Sequence, residues 1–150
     1  YPEELKGIIL LGTGARLKVH PKYLDRCQFP GNGNQNWLES HMKYYKSVER
    51  DMHPVLAQRA LEVGPEVELN DLKACDNFDI LDQVSQITLP ACVMCGSDDE
   101  MTPIKYSNYL AEKIKNSSLS VITGGGHFVQ LEKYQTVNNQ IEEFLASLKH

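Results

Sequence analysis

The sequence predicts an α/β fold of about three parallel strands with flanking helices and an inserted block of helices. Three observations carry this. Short uninterrupted apolar runs stand at 7–12 and 91–96, as expected of strands buried on both faces of a parallel sheet. The long stretch between them shows helical spacing rather than strand alternation. After the second run the order is helix, strand, helix, the alternation that builds an open sheet with crossover connections.

Gly7-Ile8-Ile9-Leu10-Leu11-Gly12 is bounded by glycines and carries a β-branched pair, which favours a strand over a short helix. From 18 to 89 the character changes. Trp37, Leu38, His41, Tyr44, Tyr45 and Val48 recur at three- and four-residue steps and predict an amphipathic helix. Met52, Val55, Leu56 and Val63 predict a second, interrupted by Gly64-Pro65. Leu69 and Leu72 suggest a third, and Asp79 is placed to cap a short turn through Ile80, Leu81 and Val84. Phe29-Pro30-Gly31-Asn32-Gly33-Asn34 is a loop. The strand pattern returns as Ala91-Cys92-Val93-Met94-Cys95-Gly96, entered by Pro90 where a missing donor does least harm. Ile104, Ser107, Leu110, Ala111 and Ile114 mark a helix with Pro103 at its first turn. Leu119-Ser120-Val121-Ile122 is the third strand, and the permissive Gly124-Gly125-Gly126 follows it. Tyr134, Val137, Ile141, Phe144 and Leu148 form a final amphipathic helix. The organisation is therefore a core strand in 1–17, a helical insertion in 18–89 and a C-terminal core in 90–150.

With 150 residues, 15 Lys+Arg against 20 Asp+Glu and a formal charge of −5, one acidic domain is expected. Mean hydropathy is −0.39 and no run approaches the ~20 apolar residues of a membrane span. Nucleic-acid binding needs clustered Lys and Arg. Lys43, Lys46 and Arg50 read instead as a solvated helix face. No signal-like opening precedes the first strand, and four cysteines do not make a disulfide framework, so a reduced cytoplasmic protein is expected. The chain opens Tyr1-Pro2-Glu3-Glu4 without an initiator Met and enters a strand within a few residues, so Tyr1 reads as a cut end.

In open parallel sheets, functional groups collect at the carboxyl ends of strands. Gly96-Ser97-Asp98-Asp99-Glu100-Met101-Thr102-Pro103 follows the second strand, and Gly124-Gly125-Gly126-His127-Phe128 follows the third. A carboxylate and an imidazole at neighbouring strand ends can hydrogen-bond, fixing the imidazole's tautomer and freeing its other nitrogen as a general base. Taken singly, Asp99 or Thr102 could be an ordinary cap of the following helix, and His127 an ordinary loop residue.

Gly96-x-x-Asp99-x-x-Thr102-Pro103, then Gly126-His127-Phe128 with Glu132 beyond, resembles the acid and histidine segments of the α/β-hydrolase superfamily. The opening, from Tyr1 to Leu11, resembles the end of the helix after the nucleophile elbow leading into the sixth strand. The insertion resembles the family's cap. The resemblance covers essentially the whole chain and implies a partial α/β-hydrolase fold. It implies Asp99 as triad acid and His127 as base. Asp98 is the alternative acid if the register slips by one, and Glu132 fixes the start of the last helix. The family places its nucleophile in G-x-S-x-G before these segments. No such motif occurs here, and the oxyanion donors belong to the same missing part. The resemblance therefore implies the C-terminal half of a nucleophile-His-Asp hydrolase, an esterase- or lipase-like enzyme of a small apolar substrate. Whether the nucleophile is Ser, Asp or Cys is open, and with it the reaction. The 150-residue chain alone is expected to be inactive. The alternative is a binding module that keeps the fold without the nucleophile. The expected partners are a small-molecule substrate and, along the unpaired edge of the first strand, the N-terminal half of the same protein or a second copy.

Trp37, His41, Met42 and Tyr45, with Phe29 and Tyr44, could line an apolar substrate pocket or form the insertion's own small core. No cofactor or metal is expected. Gly12-Thr13-Gly14 fails the dinucleotide fingerprint at Leu17, and Cys92 and Cys95 fall on opposite faces of a strand. His20, His41, His53 and His150 have no ligand spacing.

Overall fold

The computed structural model describes residues 4–148, so the expectations resting on Tyr1, Pro2, Glu3 and His150 lie outside the described residues. In chain order the elements are β1 (Ile8–Leu11), α1 (Pro21–Gln28), α2 (Gln35–Met42), α3 (His53–Asn77), β2 (Ala91–Gly96), α4 (Ile104–Lys113), β3 (Ser117–Ile122), α5 (Val129–Glu132) and α6 (Tyr134–Ser147). Short 3₁₀ turns connect several of them. The chain divides into two compact units, one holding residues up to Arg16 together with those from Asp79 onward, the other Leu17–Phe78.

The first unit is a parallel sheet in the order β1-β2-β3. Ile8 pairs with Ala91 and Leu11 with Met94, while Ala91 pairs with Ser117 and Gly96 with Ile122. All six residues of β2 are buried, which is why that strand is uniformly apolar. Its alternate side chains divide the core. Ala91 and Val93 pack with Ala15, Val84, Leu110 and Ile114, and Cys92 and Met94 pack with Ile122, Val129 and Val137. Helices α4 and α6 thus cover opposite faces of β2. As the sequence implied, Cys92 and Cys95 stand at an odd offset. β1 has β2 on one side only, and Ile9 is 39% exposed rather than buried on both faces.

The segment 79–89, read from sequence as the end of the insertion, packs in the sheet unit. Ile80, Leu81 and Ile87 lie against the cluster around Val93, and the Ile80 N–H donates to the Ala15 carbonyl. Asp79 caps as expected, accepting from the Leu81 N–H.

The second unit is helical. Trp37, Cys27 and Ala60 form its core, with Leu38, Leu69 and Leu72 against them. Helix α3 is continuous in sequence but broken at Gly64, whose φ of 81° and ψ of 164° leave the helical region before Pro65 resumes it. The expected interruption stands at that point. Helix α1 has no counterpart in the sequence reading. It is short, with Pro21 in its first turn and the His20 side chain accepting from the Lys22 N–H. No helix among the described residues is long and apolar enough to cross a membrane.

Candidate active site

The exits of all three strands meet in the sheet unit. The turn after β2 and the glycine run after β3 are zipped together by backbone. The Ser97 N–H donates to the Ile122 carbonyl (2.9 Å), the Asp98 N–H to the Gly125 carbonyl (2.8 Å), and the Gly124 N–H to Ser97 Oγ (2.8 Å). No side chain fits between the turns: a Cβ on Gly96 would stand 2.0 Å from the Gly125 oxygen. The Gly126 N–H donates to Glu132 Oε2 at 2.5 Å, so this carboxylate holds the glycine run in front of His127. Glu132 thus reaches back across its loop. The start of α6, by contrast, has no side-chain cap.

That zipper brings Asp99 and His127 together. His127 Nδ1 lies 3.0 Å from Asp99 Oδ2 and 3.2 Å from Oδ1. The Asp99 side chain is fully buried, while a quarter of the His127 side chain remains exposed. Asp99 Oδ1 accepts from the N–H groups of Met101 and Thr102, both at 2.8 Å, and Oδ2 accepts from Thr102 Oγ1 at 2.8 Å. Burial alone would raise the Asp99 pKa. Hydrogen bonds from His127 and Thr102, with the histidine's charge, outweigh it and hold the carboxyl below its usual range. An ionised carboxylate offers only lone pairs, so the proton on the facing imidazole nitrogen must be on Nδ1. Nε2 then keeps its lone pair and can accept a proton from a substrate or nucleophile.

Of the alternative carboxylates, Asp98 is exposed and accepts from the Ser97 hydroxyl (2.6 Å), and Glu100 is exposed. Asp99 and Thr102 precede α4 without capping it, since the helix begins after Pro103 with no side-chain cap. Sequence reasoning gave Thr102 no place in the pair. Its buried hydroxyl lies 2.9 Å from the Gly12 carbonyl and 3.3 Å from His127 Nδ1. Gly12 itself has φ +55°, and a Cβ there would stand 3.4 Å from the His127 carbonyl oxygen.

Of the pocket residues expected in the helical unit, Trp37, His41, Tyr44 and Tyr45 fall into one polar and aromatic cluster, and Met42 and Phe29 are not part of it. Glu68 is its centre, taking an ion pair from Arg26, the Trp37 indole N–H at 2.5 Å and His41 Nδ1 at 3.1 Å. The His41 ring centre lies 5.2 Å from that of Trp37 and 5.5 Å from that of Tyr45, tilted by 34° and 59°, and Arg26 lies over the Tyr44 ring at 4.4 Å. Burial works to raise the Glu68 pKa, but the bonds from His41 and Trp37 and the charge of Arg26 prevail and lower it. Trp37, at 1% exposure, serves the unit's core, and Met42 is half-buried. Phe29 is 74% exposed. Glu68 was absent from the sequence reading, since its partners lie 27 to 42 residues away.

A family model described as the alpha/beta hydrolase fold matches residues 61–134. The solved structure of a thermophilic esterase superposes with a TM-score of 0.82 at 29% identity, covering 98% of this chain and 58% of that one. Among curated proteins, RutD of Cronobacter turicensis, by name a candidate carbamate hydrolase, is 32% identical over 91 residues, covering 61% of this chain and 34% of its own. RutD of Escherichia coli K12 (DH10B), named likewise, is 24% identical and covers 100% of this chain and 60% of its own. The chain thus spans no more than about three-fifths of the length of these relatives. With its three parallel strands and flanking helices, the chain has a partial α/β-hydrolase fold.

Proposed function

We propose that this chain supplies the acid, Asp99, and the general base, His127, of an esterase-type hydrolase. The observation that carries it is the 3.0 Å contact between a fully buried, multiply hydrogen-bonded carboxylate and a partly exposed imidazole. An ionised carboxylate is costly to bury unless it is paired. Spending three hydrogen bonds to hold one against a histidine fits a base better than it fits a binding module.

In this reading a nucleophilic hydroxyl attacks the ester carbonyl carbon while His127 Nε2 takes its proton. The C–O bond to the leaving group then breaks, and His127 returns the proton to the departing alcohol. Water attacks the acyl-enzyme, again deprotonated by His127, and the acid is released with the nucleophile restored. The nucleophile and the oxyanion donors would lie outside these 150 residues, on the part of the fold that pairs with the open edge of β1. A second copy of the chain is the other occupant of that edge. The helical unit, inserted between β1 and β2, would correspond to the family's cap, and the substrate would be small and apolar. The similarity to an esterase supports an ester, and the RutD names make a carbamate the second substrate class. Both are attacked at an acyl carbon. The four free cysteines fit a reducing cytoplasm.

The test is hydrolysis of short p-nitrophenyl esters by the full-length gene product. His127→Ala should lower kcat by about 10³-fold or more, and the 150-residue chain alone should resist fluorophosphonate labelling. Retention of a tenth of the rate by His127→Ala, or stoichiometric labelling of the chain alone, would defeat the assignment.

A further inference from the structure

We infer that Thr102 is a positioning residue for the Asp99–His127 pair, its hydroxyl tying the pair to the exit of β1 at Gly12. The inference rests on reading that pair as acid and base. The Thr102 side chain belongs to a residue only 7% exposed, and its Oγ1 stands within 3.3 Å of three polar atoms: the Gly12 carbonyl oxygen (2.9 Å), Asp99 Oδ2 (2.8 Å) and His127 Nδ1 (3.3 Å). A hydroxyl has one proton and two lone pairs. Donating to Asp99 Oδ2, it holds one carboxylate oxygen while the backbone donors of Met101 and Thr102 hold the other, Oδ1. Donating to the Gly12 carbonyl, it turns a lone pair toward the Nδ1–H and shares that proton with Asp99. Either arrangement holds the imidazole with Nδ1 inward and Nε2 outward.

Gly12 is the second half of the device. Its φ of +55° disfavours a side chain, and a Cβ there would also stand 3.7 Å from both Asp99 Oδ2 and His127 Nδ1. Bare backbone therefore backs the pair, and the Gly12 N–H is in turn fixed on the Met94 carbonyl of β2 at 2.9 Å. The acid and base thus report on all three strands, through a contact spanning 90 residues of sequence. A threonine that served packing alone would not need its hydroxyl among these three atoms.

The experiment compares Thr102→Val and Thr102→Ser in the full-length gene product, with His127→Ala alongside. Valine keeps the shape and loses the hydroxyl, and should lower kcat by about tenfold to a hundredfold while KM stays within about twofold. Serine keeps the hydroxyl and should stay within about threefold of the parent. Carboxyl ¹³C NMR should show the Asp99 titration moving upward in the valine variant, which has lost a donor to the carboxylate, and unmoved in the serine variant. An unchanged kcat for Thr102→Val beside an inactive His127→Ala overturns the inference and leaves the base assignment intact. Activity in His127→Ala defeats the base assignment, and the NMR titration still reads the hydroxyl's hold on Asp99. Should the valine variant fail to fold, Thr102→Ser decides alone. A serine variant as impaired as a hydroxyl deletion shows that the methyl group mattered and overturns the inference.

Discussion

Gly96→Ala puts the joint between the two functional turns under a load that the structure allows to be worked out. Gly96 ends β2 and lies under the glycine run. The added Cβ would meet the Gly125 oxygen at 2.0 Å, the Gly125 carbonyl carbon at 2.4 Å and the Gly126 oxygen at 2.5 Å. These are backbone atoms and cannot rotate aside. Relief to the 3.0 Å that real Cβ contacts respect moves the Gly125 carbonyl by at least an ångström. That shift breaks its 2.8 Å bond from the Asp98 N–H and strains the bond from the Gly124 N–H to Ser97 Oγ. Two hydrogen bonds at about 1 kcal/mol each, with roughly 1–3 kcal/mol for overpacking, give a loss of about 3–5 kcal/mol. For a domain of this size that lowers Tm by roughly 10 °C. His127 follows Gly126 directly, and a misplacement of ~1 Å at the reacting geometry costs about 10²-fold in rate. Thermal unfolding and ester hydrolysis of the full-length variant check both numbers. A Tm within about 2 °C of the parent together with unimpaired turnover would refute the packing of these turns and the dependence of His127 on it.

Two further outcomes follow from the same carboxylate. Asp99→Asn should cost about 10³–10⁴-fold in kcat, because an amide can hold the imidazole in the wrong tautomer, while Asp98→Asn should stay within roughly two- to threefold, as exposed substitutions do; steady-state kinetics on the pair would show a reversed ranking if Asp98 were the acid. Because the folded-state pKa of Asp99 lies below its ordinary value, its contribution to stability is full above pH ~4 and is lost as pH falls through the folded value; urea unfolding should therefore show the gap between parent and Asp99→Asn narrowing only below about pH 4, and a gap independent of pH down to acid unfolding would contradict the shift.

The elements legible in the sequence are those whose signal is local. β2 is a continuous apolar run because both its faces are covered, and the break in α3 is written in Gly64-Pro65. Asp99 could be preferred over Asp98 because Gly96 and Pro103 frame it, and the structure puts Asp99 and not Asp98 against His127. Helix α1 escaped notice because its eight residues are mostly polar, with Tyr23, Leu24 and Cys27 alone marking an apolar side, and only Pro21 and the His20 cap announced it. The placement of 79–89 with the sheet depends on Ala15 and Val93, which no local pattern reveals. Glu68 was hidden for the same reason, its partners lying 27 to 42 residues away, and Thr102, though part of the acid motif, gave no sign in sequence of its contacts with His127 and Gly12, 25 and 90 residues away.

This difference between local and distant determinants also decides where the site is vulnerable. Three of the donors to the Asp99 carboxylate, the N–H groups of Met101 and Thr102 and the Thr102 hydroxyl, come from its own turn. The acid is therefore arranged by a few consecutive residues. His127 has no such local frame, since its position depends on the Asp98–Gly125 and Gly124–Ser97 bonds, on Glu132 holding Gly126, and on Gly12 behind the ring. Each of those contacts joins segments that are separate in sequence or crosses a glycine loop. Local opening free energies are smallest where backbone bonds are few and glycine is frequent. Destabilisation of this unit should thus release the histidine before it releases the acid. Hydrogen exchange at Gly124, Gly125 and Gly126 should then be faster than at Met101 and Thr102, and the reverse order would place the weak point in the acid turn instead.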